Sequence, residues 1–119
     1  MITFYWYPKC STCKKAKAWL DQKKLTYETI DMITHPPQAD QLADWMNQGK
    51  WPLRRFFNTS GMRYREQGLK DLVANFSITE ASQRLATDGM LIKRPILVKD
   101  GQLIALGFKE SDYEGVLEK

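Results

Sequence analysis

Cys10 and Cys13 are the chain's two cysteines, set three positions apart within FYWYPKCSTCKKAKAWL, residues 4–20. Two thiols at this spacing can be half of a metal site, an inert buried pair, or a redox couple at the start of a helix. Structural zinc takes four ligands as a rule, and the chain adds a single histidine, His35, so no metal is expected. Pro8, Lys9, Ser11, Thr12 and Lys14 are polar company for a sealed core, which weighs against the inert pair. The redox reading has a mechanism. A strand ending at Pro8 delivers Cys10 to the first turn of the following helix, where unpaired backbone N–H groups and flanking lysines favour an anion. A thiol so placed persists as the reactive thiolate near neutral pH. Cys13, one turn deeper, then resolves a mixed disulfide on Cys10.

The flanking elements must hold the pair in place. Residues 2–7 alternate Ile2, Phe4 and Trp6 against Thr3, Tyr5 and Tyr7 and read as a strand. A helix follows from Ser11, with good helix formers over Lys14 to Lys24 and Ala16, Leu20 and either Cys13 or Trp19 on one face. Residues 25–31 read as a second strand, completing a βαβ unit. The middle is helical and irregular: a helix over 38–48 stopped by Gly49, a short helix over 53–57, loop and turn over 58–68, and a helix opened by the Ser77/Glu80 capping box and ended by Gly89. Strands over 96–98 and 103–106 are joined by the hairpin signal Asp100-Gly101, and Ser111 with Glu114 predicts a capped helix to the end. The expected fold is α/β: a thioredoxin-like βαβ…ββα mixed sheet in one domain, 1–119, with a helical insertion over roughly 37–88.

A proline, commonly cis, opens the third core strand of that fold beside the reactive cysteine, and Pro95 occupies this place in GMLIKRPILV, residues 89–98. Arg94 would hold an anion or a substrate backbone beside Cys10. Pro95, Ser11 and Thr12 are expected to shape the substrate pocket.

Composition narrows the class. The 119 residues carry 43% hydrophobic and 27% charged side chains and a net charge of +4, an ordinary globular balance. No apolar run is long enough to span a bilayer, so a cytoplasmic protein without membrane association is expected, where stapling disulfides are rare. Phe56, Phe57 and Tyr64 among arginines suit base stacking, but aromatic residues at helical spacing are expected in the core, and no direct nucleic-acid partner is assigned.

YPKCSTCKKAKAWL, REQGL, DGMLIKRPILV and GFKESDYE together resemble the arsenate reductase (ArsC)/Spx family, over essentially the whole chain. The resemblance implies a cytosolic thiol–disulfide redox protein, an arsenate-reductase-like oxidoreductase, with Cys10 as nucleophile and Cys13 as the resolving thiol, joined by Arg94. It implies no tightly bound cofactor. The electron donor would be glutathione, glutaredoxin or thioredoxin, and the substrate a thiol or disulfide partner protein or a small oxyanion. Family reductases hold arsenate with three arginines and generally lack a cysteine at the position of Cys13. Here Arg94 matches one arginine, whereas Asn58 and Gly107 stand where the other two are expected, and a divalent oxyanion needs several charge-assisted hydrogen bonds. The C-x-x-C form is similar to the Spx branch. That branch implies the alternative, a redox-sensing transcription regulator that binds the RNA polymerase α subunit.

Overall fold

A computed structural model describes residues 1–117. Four strands form one mixed sheet in the order β2-β1-β3-β4. They are β1 (Ile2–Trp6), β2 (Tyr27–Asp31), β3 (Ile96–Lys99) and β4 (Gln102–Leu106). β1 pairs parallel with β2, in a register that sets Ile2 against Tyr27 and Trp6 against Asp31. It pairs antiparallel with β3, with Tyr5 opposite Ile96. A two-residue hairpin links β3 to β4, and both turn residues have positive φ, 52° at Asp100 and 81° at Gly101. That is the geometry whose twist matches paired strands and which Asp-Gly supplies. The thioredoxin-like α/β arrangement expected from the sequence is the one observed.

The chain divides into two compact units. One runs over Met1–Met32 and resumes at Arg94; the other is Ile33–Lys93. The first unit contains the sheet with α1 (Ser11–Gln22) and α5 (Glu110–Tyr113). Its core gathers Ile2 and Phe4 from β1, Ala16, Trp19 and Leu20 from α1, Leu97 and Ala105 from the hairpin, and Tyr113 with Val116. α1 thus buries one stripe at helical spacing, and that stripe includes Cys13 as well as Trp19.

The second unit contains α2 (Ala39–Asn47), α3 (Met62–Glu66), α4 (Ile78–Ala86) and several 3-10 turns. The Ser77/Glu80 capping box opens α4: the Ser77 side chain accepts from the Glu80 N–H at 3.0 Å, and Glu80 accepts from the Ser77 N–H at 2.9 Å. α4 closes at Ala86 with Thr87 as its cap, so Gly89 opens a separate 3-10 turn instead of ending the helix. A one-turn helix, α3, occupies part of the stretch expected as loop, because Tyr64 is buried there and anchors it. Phe56, Phe57 and Tyr64 are 0%, 1% and 5% exposed, so their rings belong to the core. At the other end, α5 is capped by Lys109 without a side-chain bond, not by Ser111. A 3-10 turn follows it over Glu114–Leu117; residues 118–119, which the expected helix includes, lie outside the described residues. Among the described residues no helix is long and apolar enough to cross a membrane.

Candidate functional site

Cys10 is the N-cap of α1, with extended backbone at φ −92° and ψ 121°. Its amide donates to the Tyr7 carbonyl at 3.0 Å and its own carbonyl accepts from the Lys14 N–H at 3.0 Å, so strand, turn and helix are tied together at this residue. Where a serine or aspartate commonly caps a helix with oxygen, Cys10 uses sulfur: its Sγ accepts the backbone N–H of Cys13 at 3.3 Å. Ser11 and Thr12, the first two helical residues, are exposed, as are Lys9, Lys14 and Lys15. Lys17 belongs to a different cluster. It pairs with Asp21 at 3.1 Å and stands 5.8 Å over the Trp6 ring and 5.7 Å over the Tyr27 ring.

Both cysteines are free thiols; Cys10 is half-buried and Cys13 is buried. Burial pushes the Cys13 thiol up to about 12, reinforced by its hydrogen bond to the Cys10 side chain and by the Cys10 charge. A backbone hydrogen bond at Tyr7 and the positive charge of Arg94 pull in the other direction. The two sulfurs are therefore differentiated, one accessible at a helix N-terminus and the other held protonated beneath it.

Arg94 comes to the same place from the far side of the sheet sequence. Its guanidinium lies 5.5 Å from the Tyr7 ring centroid, a cation–π distance, and its charge is felt at Cys13. The Arg94-Pro95 peptide is cis, and Pro95 is buried immediately ahead of β3. Cys10, Cys13 and Arg94 are thus gathered around the Tyr7 turn.

Three further residues, of which only Gly107 was singled out from the sequence, complete this region. Tyr7 accepts the Cys10 amide and carries Arg94 on its ring. Gly107, with φ 81°, donates its N–H to the Pro95 carbonyl at 2.8 Å and accepts the Tyr113 hydroxyl at 3.0 Å. Tyr113, fully buried, sets its ring edge-on to Trp19 and Phe108. Burial, then the Cys13 charge, raise its phenol well above the ordinary range. Gly107 meets the positive φ that an arginine at this position would adopt only under strain. The only signal for Tyr113 was its place in GFKESDYE, where residue type alone does not separate a core ring from a surface one. Asn58 lies in the second unit, where its amide bonds the Leu91 carbonyl at 2.7 Å and its side-chain oxygen accepts from Ser60 at 3.4 Å. Among the described residues no group of three His, Cys, Asp or Glu side chains could hold a metal ion.

A mixed four-stranded sheet, a sulfur-capped first helix and a cis-proline at the head of β3 define a protein of the thioredoxin-like class. The ArsC family model matches residues 5–116, and the chain belongs to that family. It is 46% identical over 113 residues to the uncharacterized protein YusI of Bacillus subtilis, covering 95% of each chain. It is 24% identical over 119 residues to the global transcriptional regulator Spx of Streptococcus pyogenes, covering 100% of this chain and 87% of that one. The crystal structure of a possible arsenate reductase from Streptococcus mutans superposes with a TM-score of 0.88 at 50% identity, covering 92% of each chain. The protein is accordingly arsenate-reductase-like or Spx-like within its family.

Proposed function

We propose that this protein is a thiol–disulfide oxidoreductase in which Cys10 attacks and Cys13 resolves. The carrying observation is the asymmetry of the pair. Cys10 is accessible and accepts the Cys13 N–H at 3.3 Å, while the Cys13 thiol is buried and pushed up to about 12. In the first step the Cys10 thiolate attacks one sulfur of a substrate disulfide, forming a mixed disulfide and releasing the other sulfur as a thiolate. Cys13 then gives up its proton to solvent or to the departing thiolate and attacks the Cys10 sulfur. A Cys10–Cys13 disulfide forms, the second substrate thiolate leaves, and two electrons have passed to the substrate. Once Cys10 is in the mixed disulfide its charge is gone, and that part of the upward push on Cys13 goes with it. The opposing influences of Tyr7 and Arg94 remain. The pair returns to its free thiols by exchange with glutathione, glutaredoxin or thioredoxin. These roles suit a cytoplasmic protein, where thiols are kept reduced.

With Asn58 and Gly107 at the other two expected arginine positions, Arg94 is the one family arginine matched here, which favours disulfides over arsenate as substrate. A coupled assay tests this. Consumption of thioredoxin- or glutathione-derived reducing equivalents with a model disulfide is expected to vanish in Cys10→Ser and to fall roughly tenfold in Arg94→Ala, the loss of about one charge-assisted contact. Unchanged turnover in Cys10→Ser contradicts the reading.

A second reading rests on the full-length likeness to the regulator Spx. In it the same thiol pair is an oxidation sensor and the partner is the RNA polymerase α subunit. Absence of turnover, together with retention of polymerase α subunit by the reduced or the oxidised protein alone, favours this reading.

A further inference from the structure

The second unit carries a cationic cavity with no part in the thiol chemistry. It encloses about 130 Å³ and is lined by Arg54, Arg55, Phe57, Thr59 and Lys93. Sites for drug-sized ligands run to about 300–1,000 Å³, so this one accommodates a single compact group and not a whole cofactor.

Its construction is local and well braced. Pro52 starts a 3-10 turn over Leu53–Phe56, which carries Arg54 and Arg55 at consecutive positions. The Phe57 N–H closes that turn on the Arg54 carbonyl at 3.1 Å. Phe57 also forms an isolated antiparallel bridge with Ile92. Flanking bonds run from the Asn58 N–H to the Leu91 carbonyl at 2.7 Å and from the Lys93 N–H to the Phe56 carbonyl at 2.8 Å. This short ladder fixes Lys93 beside the arginine turn. Phe57, 1% exposed, supplies an apolar wall. The Arg55 guanidinium lies 4.8 Å from the Trp51 ring centroid, a cation–π distance.

Among the described residues lining the cavity, three are cations, one carries a hydroxyl and none is a carboxylate. Arg54 and Lys93 line this one small cavity from backbone segments bonded to each other, and an anion seated between two like charges lowers their mutual repulsion. Guanidinium groups present paired donors that match the oxygens of a phosphate. We propose that this cavity binds a phosphate-type oxyanion, either the free ion or the phosphoryl end of a small phosphate monoester. The site is independent of the Cys10–Cys13 chemistry and stands or falls without it.

The test is a titration of the 15N-labelled full chain with inorganic phosphate, followed by amide shifts at constant ionic strength set with chloride. Saturable shifts at Arg54, Thr59 and Lys93 are expected, with affinity roughly tenfold weaker in Arg54→Gln and in Lys93→Gln. A parallel titration with glycerol phosphate separates the sources: tighter binding assigns the site to a phosphoryl group, and equal or weaker binding assigns it to the free ion. Absence of saturation, shifts that chloride reproduces, or saturation that spares these three amides would each overturn the proposal. Melting curves verify that the variants are folded, and the shift map of the unmodified chain decides the matter should either variant fail to fold.

Discussion

Burial and the neighbouring Cys10 raise the Cys13 thiol from 9.0 to about 12, and that displacement bears on stability as well as on reactivity. A group whose folded-state pKa is raised contributes stability that is fully present below its unfolded value. The contribution is lost as pH rises through the interval to the folded value. For Cys13 the interval runs from about 9 to about 12. Tyr113, raised chiefly by burial, acts in the same sense from the ordinary tyrosine range upward. The melting temperature is therefore expected to decline with pH above 9 more steeply in the unmodified protein than in Cys13→Ala. Parallel curves for the two would contradict the burial of this thiol. At this scale the sequence was legible where chemistry shows in residue type and spacing, as with Cys10, Cys13 and Arg94-Pro95. It was silent where a side chain serves through a single long-range contact. Nothing in residue order announces that the Tyr113 hydroxyl reaches the Gly107 carbonyl, or that Tyr7 carries Arg94 on its ring.

Among the elements, α1 ends in a way that can be improved. The Lys24 N–H bonds the Asp21 carbonyl at 3.0 Å and the Leu25 N–H bonds the Leu20 carbonyl at 3.4 Å. This is the double closure of a Schellman motif, whose left-handed position is usually glycine. Here that position is Lys24, at φ 57°. A left-handed residue with a Cβ costs about 1–2 kcal/mol, and glycine's extra freedom in the unfolded chain gives back about 0.4–1 kcal/mol. Lys24→Gly is expected to stabilise the protein by about 0.5–1 kcal/mol, measured by denaturant titration; a loss of stability would contradict the assigned closure. The same left-handed residue explains why the helix stops at Gln22 although good helix formers continue to Lys24. Caps were only partly legible. Ser77 and Glu80 form the predicted reciprocal box, whereas Ser111 and Glu114 do not. Tyr113 must face the core, so α5 begins at Glu110, with the Asp112 and Tyr113 amides both closing on the Lys109 carbonyl. Packing decided the register, and a four-residue motif could not reveal it.

For the whole molecule, the four strands and the hairpin followed from hydrophobic patterning and one turn dipeptide, while the middle of the chain was less transparent. The expected insertion over 37–88 lies inside a compact unit, Ile33–Lys93, which contains four short 3-10 turns. Turns of three or four residues are too short to show periodicity. Membership of the ArsC family joins this frame to a thiol pair whose two members are differently exposed. The most direct measurement is intact mass after brief exposure to excess glutathione disulfide. The account predicts a single glutathione adduct on Cys13→Ser, mapped to Cys10, and no adduct on Cys10→Ser. The unmodified chain is predicted to lose two hydrogens as the internal disulfide closes. An adduct forming equally fast on Cys10→Ser, or an unmodified chain that retains glutathione without closing, would contradict it.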